Sequence, residues 1–426
     1  PWRRDSNEMA SDEPGAVQTL QARRVRLRKD SPKLSIHRQI RRRTLLDQIR
    51  PHGLDFKQLN HEGTWVVDKA RMRPPIPQCS MSELAQNIEF IEITKPFRYE
   101  ASMKIGPTID IADVAASLAP VKSTACIRNF SFENVDFAPN CLVFFKDGIK
   151  MNDTNYLIPD DTFSGAKIVF DDIIVDDSDK PLIIGYNMGW TGYYHWLIQS
   201  MPAIDHSIRG RETDVRIAIP ALGKWHKELF DLVIGGHHVE IVTMDFFRHY
   251  TARKLEYCEF INGKSAFTIS EKAAETFGRI KSMVCDDTTR KDKIIYIDRS
   301  DTVNRVMRNE NALVEYLKER GVEIIKPSSM DVASQITAFS RARVVIGPHG
   351  GGLSNIVFCS PGTVLYELFP DHYVNSCFNR LAQCGGLDYW ADMFPATGRG
   401  YLHDWSWEVD MDIFGRRFAT IVSTIT

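Results

Sequence analysis

Residues 344–355 read VVIGPHGGGLSN. A β-branched run ends at Gly347, and Gly350, Gly351 and Gly352 lead into a helix expected to start near Leu353. Glycine lets backbone N–H groups approach an anion with no Cβ in the way. A helix start adds unsatisfied donors and a partial positive charge. The pattern suits a phosphate or diphosphate seat flanked by His349 and Asn355. The same glycines would also serve a tight strand–helix turn that needs them only for packing. No Gly-Lys-Ser/Thr follows, so this is not a Walker loop. Nor is it a G-x-G-x-x-G fingerprint in its usual place on a first strand. His-Gly-Gly-Gly also occurs as an esterase oxyanion-hole segment, but that fold needs a G-x-S-x-G elbow, which the chain lacks.

Outward from this stretch the pattern is strand, helix, strand. Lys293–Ile297 (KIIYI), 322–325, 344–346 and 363–368 (TVLYEL) read as strands. Between them lies a helix capped by Asn309, carrying Leu313, Tyr316 and Leu317 and closed by Gly321. A second helix, capped by Ser328 or Ser329, carries Val332, Ile336 and Phe339. An earlier unit repeats the rhythm: strand Leu182–Ile184, helix 193–208, strand Val215–Ile219, helix Lys224–Ile234 closed by Gly235-Gly236, strand 239–242. Pro202 predicts a kink or a second helix start inside 193–208. This alternation predicts parallel sheets covered on both faces. From about 86 to 180 the strands are short, with a hairpin turning at Asp147-Gly148 between 141–146 and Ile149–Met151 and a less cleanly alternating, β-branched strand over 167–175.

The chain has 426 residues, more than one core usually organises. Hydrophobic residues are 43% and charged residues 25%, which excludes a disordered, collagen-like or coiled-coil chain. A net charge of −2 argues against nucleic acid as a partner. No apolar run approaches the ~18 residues of a membrane span. The chain opens on Pro1 rather than Met, so the lack of a signal pattern there says nothing about a leader. The eight cysteines form no C-x-x-C pair, so no zinc cage is expected. They read as mostly free thiols of a reducing compartment, or as a few disulfides of a lumenal protein. Residues 21–50 are strongly basic, including Arg41, Arg42 and Arg43. They read as a solvated helical arm, or as a contact with an anionic lipid surface or polyanionic acceptor. The prolines of 71–77 (RMRPPIP) mark a linker.

Ligands of wound sheets sit outside the carboxyl ends of the strands. Asp298-Arg299-Ser300 follows one strand, with Arg305 and Arg308 close by, and an arginine fork suits phosphate oxygens. A surface ion-pair cluster is the alternative. Glu367, near the end of 363–368, is placed to accept from ribose hydroxyls, or to form a buried ion pair with an arginine. His195 opens a helix among Trp190, Tyr193, Tyr194 and Trp196. Aromatic faces suit a sugar and histidine takes a proton near neutral pH, although a core histidine fits the same pattern. Asp177-Ser178-Asp179 matches a metal-binding D-x-D but reads first as a turn.

Tyr193-Tyr194-His195-Trp196-Leu197, ending in Met201-Pro202, resembles the YHWL…LP segment of glycosyltransferase family 61. Asp298-Arg299, Arg305 and Asn309-Glu310 resemble its R…R…NE segment. Gln335, Ala342 and Gly347–Asn355 resemble its Q…A…GxHGAGLTN core, and Pro361-Gly362-Thr363 with Glu367-Leu368 its PGT…EL ending. The ordered segments span about 185–370 and leave the N-terminal 150 residues uncovered. The resemblance implies a GT-B enzyme that transfers, with inversion, from a nucleotide sugar, generally a UDP-sugar, without an obligatory D-x-D metal. Members include bacterial polysaccharide enzymes and eukaryotic Golgi enzymes; the stretch 370–389 is closer to the bacterial branch. Two positions depart from the family. Gln199 stands where many members carry Asp or Glu, and an amide cannot act as a general base. Gly351 stands where alanine is common.

The sequence thus predicts an α/β, GT-B type fold: two Rossmann-like domains facing a central cleft, with a β-rich and basic N-terminal extension. The expected boundaries are 1–85 for the extension and linker, 86–285 for the acceptor side and 286–390 for the nucleotide-sugar side. Residues 391–426 are expected to pack back on the N-terminal domain. The expected function is inverting, metal-independent transfer to a glycan or polysaccharide hydroxyl, with the nucleotide sugar as co-substrate and no required cofactor. His195 is the expected base, with Asp205 and Asp298 in reserve. Arg299, Arg305, His349, Gly350, Gly351, Gly352, Leu353, Asn355 and Glu367 are the expected donor-binding residues. The expected location is cytoplasmic with membrane association through the basic segment, or the Golgi lumen in a eukaryote. A catalytically weakened sugar-nucleotide or polysaccharide-binding module and a metal-dependent GT-A transferase are the alternatives.

Overall fold

The computed structural model describes residues 77–106, 116–139, 142–154, 173–211, 215–246, 248–262, 267, 269–286, 291–398 and 405–425, with the backbone of the strand pair Phe56–Leu59 and Trp65–Val67. The basic segment 21–50, Cys141 and all of the proline stretch except Pro77 lie outside these residues. Among the described residues no helix is long and apolar enough to cross a membrane.

The stretch 344–355 sits in a six-stranded sheet that is parallel throughout. Its order is Glu323–Ile325, Lys293–Ile297, Ala342–Pro348, Val364–Pro370, Asp388–Phe394, Met103–Ile105. The side chains alternate between two buried faces, as parallel strands covered on both sides require. Ile295, Ile297, Val345, Leu365, Phe369 and Tyr389 join one apolar cluster, and Tyr296, Val344, Ile346, Tyr366, Leu368 and Trp390 join the other. Helix Glu310–Lys318 covers the second face, and helices Val332–Ser340 and Cys377–Cys384 cover the first.

The chain leaves Lys293–Ile297 for one neighbour, Glu323–Ile325, then returns to the other, Ala342–Pro348. The direction of winding therefore reverses between Lys293–Ile297 and Ala342–Pro348. At such a switch point the crossovers diverge and leave a crevice at the carboxyl ends of the strands. Asp298-Arg299 and His349-Gly350 are the residues that emerge there.

The earlier unit forms a ten-stranded sheet. Val239–Thr243, Val215–Ile219, Leu182–Ile184 and His249–Cys258 run parallel, and the antiparallel strand Ile127–Ala138 extends the sheet. The expected hairpin is present: Val143–Lys146 pairs antiparallel with Ile149–Met151, and Asp147 and Gly148 both have positive φ, 52° and 78°. That pair of conformations defines the turn whose twist matches the strands. Helix Lys224–Ile234 ends at Gly235 with φ 53°, again where sequence puts a helix stop. One apolar cluster runs from this sheet through helix 193–208 into the first face of the six-stranded sheet.

Four expectations change. The helix carrying Val332, Ile336 and Phe339 is capped not by Ser328 or Ser329 but by Asp331, whose side chain accepts the Ser334 N–H at 2.7 Å. Met103–Ile105, inside the expected N-terminal domain, pairs with Asp388–Phe394 and completes the C-terminal sheet. The segment after 391 packs on the C-terminal unit rather than back on the N-terminal one. Phe414, Phe418 and Ile421 of helix Met411–Ile425 bury against Tyr366 and Trp390, and Arg417 donates to Asp392 at 2.9 and 3.0 Å. Without this helix, the second face of the sheet would expose those rings. Asn309 precedes its helix but does not cap it. Its amide instead holds the backbone of Val409, at 2.7 and 3.0 Å.

Phe414 is fully buried and stacks on Tyr366 with centroids 5.6 Å apart. Phe414→Ala is expected to lower unfolding free energy by ~3–5 kcal/mol, measured by denaturant titration. A loss below about 1 kcal/mol would mean that this helix does not close the sheet.

Candidate functional site

The glycine run divides by physical role. A Cβ on Gly350 would lie 2.7 Å from the Arg299 guanidinium carbon, and one on Gly352 would lie 3.1 Å from Ile297 Cγ2. Gly350 is therefore bare because Arg299 packs on it, and Gly352 because the neighbouring strand approaches. Gly351 meets nothing nearer than Tyr193 Cβ at 4.0 Å, and it is exposed. Packing does not require glycine there. The helix after the loop, Gly351–Phe358, is 3-10 in form rather than α.

Arg299 is held from several sides. Its backbone N–H donates to Glu310 Oε1 at 2.9 Å, and Nη1 donates to the His349 carbonyl at 2.6 Å. Glu310 also accepts from the Tyr296 hydroxyl at 2.9 Å. Arg305 stands nearby with φ 51°, its guanidinium 4.4 Å above the Tyr373 ring and its carbonyl held by Trp407 Nε1 at 2.8 Å. Desolvation, then the Arg305 charge, push the Arg299 guanidinium down to about 10. Two like charges at the mouth of a switch-point crevice suit an anion. Asp298 does not neutralise them in the structure: its Oδ1 accepts the Ser300 N–H at 2.7 Å and shapes the turn.

Beneath the loop is a buried polar chain. His349 Nδ1 lies 2.6 Å from Glu367 Oε1, and the Tyr389 hydroxyl donates to Glu367 Oε2 at 2.7 Å. Burial drives the Glu367 carboxyl well above the usual carboxylate range. His349 stacks on Phe369 and tilts against Phe378.

The opposite wall is helix 193–208. It begins as α, winds as a π turn over Trp196–Ser200 and resumes as α over Met201–Ile208. Met201 N–H bonds the Trp196 carbonyl, five residues back. Pro202 has no N–H to offer Ile198, and the widened turn accommodates that loss. The expected kink is thus a change of winding. The Tyr193 hydroxyl donates to Asn355 Oδ1 at 2.7 Å and fastens this wall to the glycine loop. His195 packs on the preceding turn, where a Cβ on Gly189 would stand 2.5 Å from its ring. Its Nδ1 is 2.8 Å from Gln199 Oε1. Burial lowers the His195 pKa, opposed by that hydrogen bond, so the ring stays neutral and can accept a proton.

The structure brings Arg299, Arg305, Gly350 and Gly351 together at the strand ends. Tyr193 lies against the glycine loop, with His195 two residues on in the same helix. His349 offers Arg299 only its carbonyl, its ring being buried on Glu367. Several predicted residues do other work. Asp205 is buried between helices, bound to Arg209 at 2.7 Å, to Arg279 and to Thr276 at 2.6 Å, and is not a base at the cleft. Glu367 is fully buried with both oxygens engaged, so it supports His349 instead of touching a ribose. Leu353 is fully buried and its N–H closes the turn onto the Gly350 carbonyl at 2.9 Å. Asn355 is fully buried between Tyr193 and Gln335. Asp179 of the D-x-D pairs with Arg253 at 3.0 Å. Among the described residues no group of three or more His, Cys, Asp or Glu could hold a metal ion.

Sequence reasoning missed Asn187, Glu310 and Tyr389. Asn187 had a signal, an Asn two residues before a glycine, which is an Asx-turn pattern. Glu310 lay in the quoted Asn-Glu pair. Tyr389 carried none.

Residues 193–366 match the family model described as Glycosyltransferase 61. This shows the resemblance read from the motifs for that segment. A beta-1,2-xylosyltransferase of Arabidopsis thaliana is 36% identical over 62 residues, 15% of this chain. The chain aligns with 12% of that protein's length.

Gly350→Ala should displace Arg299 and lower the thermal midpoint, whereas Gly351→Ala should leave it within about 1 °C, because only the second methyl enters open space. Equal behaviour of the two variants in scanning fluorimetry would contradict the division of roles.

Proposed function

With the segment 193–366 matching glycosyltransferase family 61, we propose that the protein is a glycosyltransferase of GT-B type. In this reading it moves a sugar, with inversion and without a metal, from a UDP-sugar to a carbohydrate hydroxyl. The observation that carries the proposal is the Arg299 guanidinium packed on Gly350 at the switch point, with Arg305 beside it and Gly351 open to the crevice. The diphosphate would sit on the exposed Gly351 backbone and the two guanidinium groups. These charges are fixed before the reaction and take up the negative charge that develops on the leaving group. Arg299 is pre-oriented by Glu310 and the His349 carbonyl, so little reorganisation is needed as the bond to the anomeric carbon breaks.

The acceptor would approach from the side of helix 193–208. A hydroxyl there attacks the anomeric carbon opposite the departing diphosphate and passes its proton to neutral His195. Trp190, Tyr193 and Trp225, all partly buried, offer ring surface for a sugar.

Arg299→Ala is expected to weaken UDP binding by ~1.5–3 kcal/mol, the worth of a charged hydrogen bond. Gly351→Asp, which places a carboxylate in the seat, should abolish measurable binding while the protein stays folded. Calorimetry with UDP checks both, and unchanged affinity in a folded Gly351→Asp variant would remove the seat from this loop.

Transfer or donor hydrolysis is expected to survive EDTA. A Mn²⁺ requirement that disappears in Asp177→Ala would favour metal-assisted departure instead.

His195→Ala should keep UDP affinity and lose ~10²–10⁴ in turnover. The sign of the pH dependence follows from burial: the base works only when neutral, and protonation as pH falls removes it. Because desolvation lowers its pKa in the free protein, the acidic limb of kcat/KM is expected below the ordinary histidine value of ~6.5. A limb at or above that value, or full turnover in His195→Ala, would exclude His195 as the base.

A further inference from the structure

The turn before helix 193–208 contains a chain of hydrogen bonds whose polarity can be followed from one end. The backbone N–H of Gly189 can only donate, and it donates to Asn187 Oδ1 at 2.8 Å. This fixes which end of the Asn187 amide is oxygen. The other end, Nδ2, donates to Gln199 Oε1. The Gln199 atom facing His195 is therefore its carbonyl oxygen, an acceptor. His195 Nδ1, 2.8 Å from that same oxygen, must then carry the hydrogen. In a neutral imidazole one nitrogen holds the proton and the other holds the basic lone pair. The basic nitrogen of His195 is consequently Nε2.

We infer that Gln199 is a positioning residue: oriented by Asn187 and the Gly189 N–H, it fixes the His195 proton on Nδ1 and so makes Nε2 the nitrogen that takes a proton from the acceptor. The catalytic meaning rests on His195 being the base, as proposed above. Position 199 therefore needs an acceptor oxygen rather than an acid. Gln199 is only 4% exposed, walled in by Asn187 and the ring, so neither Gln199 nor a carboxylate in its place would lie open to an acceptor hydroxyl. The π turn over Trp196–Ser200 carries Gln199 and sets its height against the ring. Gly189 completes the device, because any side chain there would push the ring off its seat.

The proton balance is simple. As the acceptor oxygen bonds to the anomeric carbon, its proton moves to Nε2 and the ring becomes an imidazolium. The Nδ1–H bond to Gln199 persists, the diphosphate leaves with the bonding pair, and the proton on Nε2 returns to solvent after product departs.

Histidine-selective ¹⁵N labelling with long-range ¹H–¹⁵N correlation reads the tautomer directly, the His195 signals being assigned by their loss in His195→Ala. The wild-type protein, near pH 8, is expected to show the Nδ1–H form. Gln199→Leu, which removes the acceptor, should lose that form and cut kcat by up to the ~10²–10⁴ that proton transfer is worth, with KM changed less than about threefold. Gln199→Glu retains an acceptor oxygen and should retain the Nδ1–H form. An Nε2–H signature in the wild type, which needs no variant to fold, would overturn the inference. So would an Nδ1–H form that persists in Gln199→Leu. A tautomer that switches in Gln199→Leu while kcat is unchanged would leave the positioning role intact and refute His195 as the base, which separates the two claims.

Discussion

The crevice depends on one contact, the Arg299 guanidinium lying on the bare backbone of Gly350. It joins the carboxyl ends of two adjacent strands, Lys293–Ile297 and Ala342–Pro348, where the winding of the sheet reverses. A partly desolvated cation next to a second one is costly unless its hydrogens find partners. The His349 carbonyl supplies one such partner, and Glu310 fixes the backbone that carries the side chain. The carbonyl is itself steadied from below, because His349 is locked by Glu367 and Tyr389 and stacked on Phe369. Polar groups as deeply buried as Glu367 are tolerable only when their hydrogen bonds are made, and this layer meets that condition.

The facing wall answers a different constraint. Helix 193–208 is buried along most of its length, yet it carries a titratable ring, His195, in its first turn. The Gly189–Gly192 turn gives the ring room, the π turn absorbs Pro202, and Tyr193 ties the wall to Asn355. Tyr194 meets His195 edge-on and also meets Phe378, which tilts against His349. The two histidines are thus linked through packed rings rather than through a chain of charges.

Much of this was legible in the sequence. Continuous apolar runs marked the strands at Lys293–Ile297, 344–346 and 363–368, and Gly235, Gly321 and Asp147-Gly148 marked stops and turns by their need for positive φ. In the sequence the triple glycine and Arg299 each follow a strand, and the structure puts them at the ends of adjacent strands, packed on each other. Side-chain pairings across the fold were not legible. Glu367 seemed to lie at a strand end, but the strand continues to Pro370 and leaves the carboxylate inside the sheet. Asp205 lay near His195 in sequence, while its partner Arg279 comes from a helix more than seventy residues away. Met103–Ile105 is too short to show where it pairs, and its partner strand lies some 285 residues later.

The most direct measurement is a crystal structure of the protein soaked with UDP. The β-phosphate is expected within hydrogen-bonding distance of the Gly351 backbone N–H and the Arg299 guanidinium, with its open oxygen directed toward helix 193–208. A diphosphate bound elsewhere, with Arg299 still seated on Gly350 and making no contact to it, would contradict the account.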